Sequence, residues 1–154
     1  MATRKKISLD PDFRDFIQLL NSEGVRYLLL GGYAVNYHGH HRFTADIDFW
    51  IEPELANAER LSRALQRFGF SADTVKPEQF LELGKVHSIG MEPVRVDLLT
   101  GPSGVDFAAA YQRRVVDVLD GVEVSIISLA DLRANKQASG RKKDLLDLDD
   151  LPEV

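Results

Sequence analysis

Asp46 and Asp48 are the residues of this 154-residue chain whose type and spacing point most directly to chemistry. They lie in Thr44-Ala45-Asp46-Ile47-Asp48-Phe49-Trp50-Ile51, whose alternation reads as a strand. Ala45, Ile47, Phe49 and Ile51 take one face; Thr44, Asp46, Asp48 and Trp50 take the other. Both carboxylates then project together, about 6.6 Å apart along the backbone. The apolar face opposite pins the register, because a one-residue slip would turn the aspartates inward. Neighbouring carboxylates repel unless a cation sits between them. Hard oxygen donors of this kind suit Mg²⁺, which is usually shared with substrate phosphates.

A third carboxylate stands in Arg95-Val96-Asp97-Leu98, where Val94, Val96 and Leu98 face the core and Arg95 and Asp97 face away. For Asp97 the plainer alternative is an ion pair with Arg95. Gly31-Gly32 closes the apolar run Tyr27-Leu28-Leu29-Leu30 and opens a helix. Backbone without side chains there lets a phosphate approach helix-terminal N–H groups. Three strand-borne carboxylates and a glycine turn are the parts of a two-metal phosphoryl-transfer site.

Other candidates are weaker. Arg42 could hold triphosphate oxygens with its forked guanidinium, or be an ordinary surface arginine. Thr44 either bonds the phosphates or buttresses the strand. His38, His40 and His41 cluster near Gly39 and read as an exposed polar loop rather than metal ligands. Arg133, Lys136, Arg141, Lys142 and Lys143 precede Asp144, Asp147, Asp149 and Asp150. Surface pairing, such as Lys143 with Asp147 at i,i+4, accounts for most of them. Lys136 is expected off the apolar stripe of Leu129 and Leu132, exposed on the substrate side as a point charge for a phosphate.

The elements that must position these groups are legible in outline. Asp10-Pro11 starts a helix that buries Phe13, Phe16, Ile17 and Leu20 and stops at Gly24. Tyr27–Leu30 suits a buried strand, followed by a short helix from Tyr33 to about His38. Pro53 opens a helix with the stripe Leu55, Ala58, Leu61, Leu65 and Phe68, ended by Gly69. Residues 71–83 leave a strand and a short helix after Pro77 both open. Lys85–Gly90 and Val94–Thr100 pair around Met91-Glu92-Pro93, and 105–111 is helical. Val115–Leu119 and Val122–Ile127 form a hairpin on Asp120-Gly121. Ser128-Leu129-Ala130-Asp131 caps a last helix pair broken at Ser139-Gly140. The expectation is an α/β (α+β) chain, a mixed sheet flanked by helices. Residues 1–154 read as one domain with a C-terminal helical segment from about 128.

Composition sets outer limits. No cysteine is present, which excludes disulfides, thiolate zinc sites and cysteine nucleophiles. Nineteen basic residues against 24 acidic give a net charge of −5, which argues against binding nucleic acid by bulk electrostatics but leaves a local basic cleft open. Asp10, Asp12 and Arg14 follow the basic opening too soon for a signal peptide, and no run reaches membrane-span length. The reading is a cytoplasmic chain with no membrane partner.

Gly31-Gly32, thirteen residues, then Asp46-Ile47-Asp48, with Asp97 on a later strand, resembles the signature of the nucleotidyltransferase superfamily related to polymerase beta. The fuller Gly-Gly-Tyr-Ala … Arg-Phe-Thr-Ala-Asp-Ile-Asp resembles minimal nucleotidyltransferases that include abortive-infection toxins of bacterial toxin–antitoxin pairs. The segment from Asn135 to Asp144 resembles one recurring in that group. The resemblance implies a nucleotidyltransferase-like fold and transfer of a nucleoside monophosphate from an NTP to an acceptor. It implies two Mg²⁺ ions on Asp46, Asp48 and Asp97, with Asp97 also helping to deprotonate the acceptor. Gly31, Gly32, Arg42, Thr44 and Lys136 would bind the phosphates. The acceptor is left open among tRNA or other RNA, protein and small molecules, and a cognate antitoxin is a further expected partner. Gly31-Gly32 stands where many catalytic members carry Gly-Ser, so no serine hydroxyl is offered there. A catalytically silent nucleotide-binding or partner-binding module on the same scaffold is the competing expectation.

Overall fold

Asp10 caps α1 (Pro11–Ser22) by accepting from the Asp12 N–H at 2.9 Å, and Pro11 fills the first turn, where no N–H is needed. The computed structural model describes residues 8–39, 43–91, 94–101 and 106–154. Phe13, Phe16, Ile17 and Leu20 of α1 are buried along one stripe, as their spacing predicts. β1 (Tyr27–Leu30) is buried at all four positions and passes without a linker into α2 (Gly31–His38). The next strand, β2 (Ile47–Ile51), is shorter than the alternating run suggests. Ala45 lies outside it and is exposed. Trp50, on the carboxylate face, is buried edge-on against Phe107, with ring centroids 5.1 Å apart.

α3 (Leu55–Phe68) buries Ala58, Leu61 and Leu65. Leu55, expected on that stripe, is 52% exposed, because it begins the first turn before the helix reaches the core. Residues 71–83 resolve to one 3₁₀ turn, Pro77–Phe80, with no strand. β3 (Val86–Met91) and β4 (Val94–Leu99) pair antiparallel as expected; Glu92 and Pro93 of their turn lie outside the described residues. α4 (Phe107–Gln112) is followed by β5 (Val115–Leu119) and β6 (Val122–Ile126). Asp120 and Gly121 between them have φ of 49° and 79°, the two positive values of a tight hairpin turn. Ser128 Oγ accepts from the Asp131 N–H to cap α5 (Leu129–Ser139). Gly140, left-handed at φ 65°, breaks it from α6 (Lys142–Asp150).

The sheet runs β3-β4-β2-β1-β6-β5. β1 is antiparallel to β2 and parallel to β6, and β2 is parallel to β4, so the sheet is mixed. Among the described residues six α-helices accompany a six-stranded mixed sheet, so the chain is α/β. Registers fix the site: Leu30 lies opposite Asp48, and Asp48 lies opposite Asp97. Ile47, Phe49, Val96 and Leu98 point the other way into the core, which locks that alignment. Among the described residues no helix is long and apolar enough to cross a membrane.

Candidate active site

The end of β1, the start of β2 and the middle of β4 open onto a cavity of about 850 Å³. Gly31, Gly32, Thr44, Asp46, Asp48, Asp97 and Lys136 all line it. Of the residues expected at the site, Arg42 lies outside the described residues, as do His40 and His41. His38 is not on an exposed loop: it ends α2, with Nε2 2.7 Å from the Ile127 carbonyl oxygen.

The glycine pair is required by close packing. Gly31 has φ of +65°, and a Cβ there would come within 2.8 Å of Asp48 Cγ. A Cβ on Gly32 would come within 2.6 Å of Thr44 Oγ1. Helix α2 therefore begins hard against the carboxylate strand, with its first N–H groups beside the acidic cluster. Thr44 Oγ1 donates to the Asp46 carbonyl at 3.1 Å and so ties the approach to β2 beside the carboxylates.

Asp48 is pushed up to about 7, first by burial, then by the charge of Asp97 and a hydrogen bond shared with it, and by Asp46; Lys136 opposes the shift. Asp46 Oδ1 is buried with no hydrogen-bond partner among the described residues. Asp97, 8% exposed, accepts on Oδ1 from Ser88 Oγ at 2.6 Å and from Arg95 Nε at 3.2 Å. The ion pair with Arg95 and the place in the cleft coexist.

Lys136 is not the exposed cation its position off the Leu129–Leu132 stripe suggests. It is 6% exposed, with Nζ 3.0 Å from both Asp144 Oδ1 and Asp147 Oδ2. The stripe marks only one face of α5; α6 packs on another and brings two buried carboxylates to the lysine. Asp147 thus faces Lys136 rather than serving only a surface pair with Lys143. Burial alone would raise Asp144, but hydrogen bonds from Ser139, Lys136 and Arg141 hold it down at about 2. Lys136 remains in the cavity wall, and its charge reaches Asp48.

Sequence reasoning missed Ser88 as a partner of Asp97. The turn expected at Met91-Glu92-Pro93 would set His87 across from Asp97; the observed pairing of Met91 with Val94 shifts the register by one residue and sets Ser88 there. Arg141, Lys143 and Phe43 also line the cavity. Nothing in the helix spacing of Arg141 and Lys143 separates them from ordinary surface cations.

Among the described residues, no three His, Cys, Asp or Glu side chains close around one point as a ready-made metal cage. Mg²⁺ needs no such cage, since one or two carboxylates plus substrate phosphates usually hold it. The unpartnered Asp46 Oδ1 beside mutually repelling Asp48 and Asp97 fits a cation bound in that way.

Comparison with known proteins adds three findings. A family model described as nucleotidyltransferase of unknown function (DUF6036) matches residues 8–151. No curated protein matches the sequence. Among solved structures, the chain is similar to an antigenic nucleotidyltransferase-like protein from Paracoccidioides brasiliensis, at 18% identity and TM-score 0.52, over 94% of this chain and 76% of that one. It is also similar to the lincosamide antibiotic adenylyltransferase LnuA, solved with lincomycin bound, at 16% identity and TM-score 0.53, over 93% and 96% of the two chains. At these identities the structural likeness speaks to the fold.

Proposed function

We propose, from the premise that the chain belongs to the nucleotidyltransferase family DUF6036, that it moves a nucleoside monophosphate from an NTP to an acceptor hydroxyl. One observation carries the reading: Asp46, Asp48 and Asp97 share one cavity with the N-terminus of α2 at Gly31-Gly32. The acceptor oxygen attacks the α-phosphorus, the bond to the bridging oxygen breaks, and pyrophosphate leaves with the electron pair.

Asp46, Asp48 and Asp97 would hold Mg²⁺, two ions on the full assignment, which when bound neutralises phosphate charge and acidifies the acceptor hydroxyl. The N–H groups at Gly31 and Gly32 face the β- and γ-phosphates, favoured by the helix dipole. Arg42 retains its place in this reading as a phosphate ligand through its position in the sequence. Lys136, held by Asp144 and Asp147, contributes its charge to the cleft from a fixed position. Asp97, with Oδ1 anchored by Ser88 and Arg95 and its carboxylate also hydrogen-bonded to Asp48, is held in place on the cleft wall, where it would help deprotonate the acceptor.

Arg95, Arg141 and Lys143 on the cavity wall favour an acceptor that carries phosphate, such as an RNA end, over a cationic small molecule. A toxin role with a cognate antitoxin is the finer reading, and it would need modification of that acceptor to arrest growth and a partner protein to relieve the arrest. The second reading, a silent nucleotide-binding module, draws on the lack of a closed carboxylate cage among the described residues and on the neutralisation of Asp97 by Arg95.

The test is incubation with each α-labelled NTP, Mg²⁺ and total RNA or protein extract. Label entering an acceptor with the wild type and not with Asp48→Asn supports transfer. Mg²⁺-dependent NTP binding with no labelled product supports the silent module.

A further inference from the structure

We propose that Phe43 is the platform on which the base of the nucleoside triphosphate stacks, an inference that rests on the transfer reading above. Phe43 is 90% exposed, yet it lines the cavity that holds the carboxylates. A scattered exposed apolar residue needs no partner. Phe43 differs in place and kind. Among the described residues, the large exposed apolar side chains in this cavity are Phe43 and Val86, and Phe43 is the aromatic one.

Its position along the chain suits the role. Thr44 Oγ1 packs against Gly32, in the first turn of α2, where the phosphates would sit. Phe43 immediately precedes Thr44, about 3.8 Å between Cα atoms. A nucleotide with its phosphates at the head of α2 therefore has its base within reach of the ring. The charged groups of the wall, such as Asp46, Asp97, Arg95 and Lys136, can hold phosphates and cations, and its other apolar side chains, Leu30, Ala45, Val86 and Leu99, are aliphatic, so among the described lining residues Phe43 offers the aromatic face. Every base has a π-face, so stacking on Phe43 gives affinity without reading base identity.

Inorganic tripolyphosphate separates the phosphate contacts from the base contact, because it lacks a base. The experiment measures binding of Mg²⁺–ATP and Mg²⁺–tripolyphosphate to wild type, Phe43→Ala and Phe43→Trp. Phe43→Ala is expected to weaken ATP about tenfold, within what base–aromatic stacking supplies, with tripolyphosphate affinity and melting temperature unchanged. Phe43→Trp should keep ATP affinity and present an exposed indole whose emission ATP quenches and tripolyphosphate does not. Equal ATP affinity in wild type and Phe43→Ala overturns the platform and leaves the transfer reading standing. Equal loss of both ligands also overturns it, since the ring would then shape the cleft instead of touching the base. If wild type binds neither ligand with Mg²⁺, the transfer reading fails and this inference fails with it.

Discussion

Gly31 and Asp48 leave no room for a side chain between them: a Cβ on Gly31 would lie within 2.8 Å of the Asp48 Cγ. The backbone there is also left-handed, at φ +65°. Gly31→Ala therefore meets two penalties, a strained backbone costing about 1–2 kcal/mol and a displaced carboxylate. The variant should melt several degrees lower and lose Mg²⁺-dependent nucleotide binding. Retained binding at full affinity would show that Asp48 need not lie against the helix.

Asp48 gives a pH dependence of definite sign. Its carboxyl is raised from 3.8 to about 7 in the folded chain. The folded state therefore holds this proton more tightly than the unfolded state. The stabilisation is full below about pH 4 and is lost as pH rises through about 7. Metal-free protein should lose on the order of 1 kcal/mol per pH unit from this group across that window. Mg²⁺ with NTP should restore stability above pH 7. Asp48→Asn should flatten the profile, raise metal-free stability at pH 8 and abolish transfer. Thermal melts at stepped pH, with and without Mg²⁺–NTP, check the stability changes, and incubation with α-labelled NTP checks transfer.

Removing Lys136 leaves Asp144 and Asp147 buried without their shared cation. Breaking a buried pair in this way costs about 3–5 kcal/mol, so Lys136→Ala should unfold at markedly lower denaturant. A surface lysine would shift the midpoint little. Urea titration separates the two outcomes.

Asp144 titrates in the opposite sense. Despite burial, its hydrogen bonds hold it at about 2, below its ordinary 3.8. Its contribution is present above about pH 4 and lost as pH falls towards 2. Ser139→Ala should move the acid-unfolding midpoint upward, because one of the bonds that favour the charged form is gone. An unchanged midpoint would assign the acid transition to other groups.

What the sequence revealed, and what it hid, divides along local and non-local lines. The caps at Asp10 and Ser128, the Asp120-Gly121 turn and the break at Gly140 are local chemistry, and each stands where the residues predict. Strand alternation carried Asp48 and Asp97 to the same sheet face, while Ser88 was hidden by a one-residue difference in the hairpin register. The Lys136 triad was hidden because a helix's apolar stripe says nothing about what covers its polar flank. Leu55 was misjudged at a helix start, where the first turn decides burial and periodicity does not. The need for glycine at 31 and 32 came from Asp48 and Thr44, contacts made across the fold.

The central claim is that the bond between the α- and β-phosphates breaks. Parallel reactions with α-labelled and γ-labelled NTP, Mg²⁺ and total RNA or extract test it directly. The expected result is that α-label joins an acceptor, that γ-label leaves as pyrophosphate, and that Asp48→Asn does neither. Gamma label appearing on the acceptor would contradict it, as would an NTP that binds with Mg²⁺ and is recovered intact.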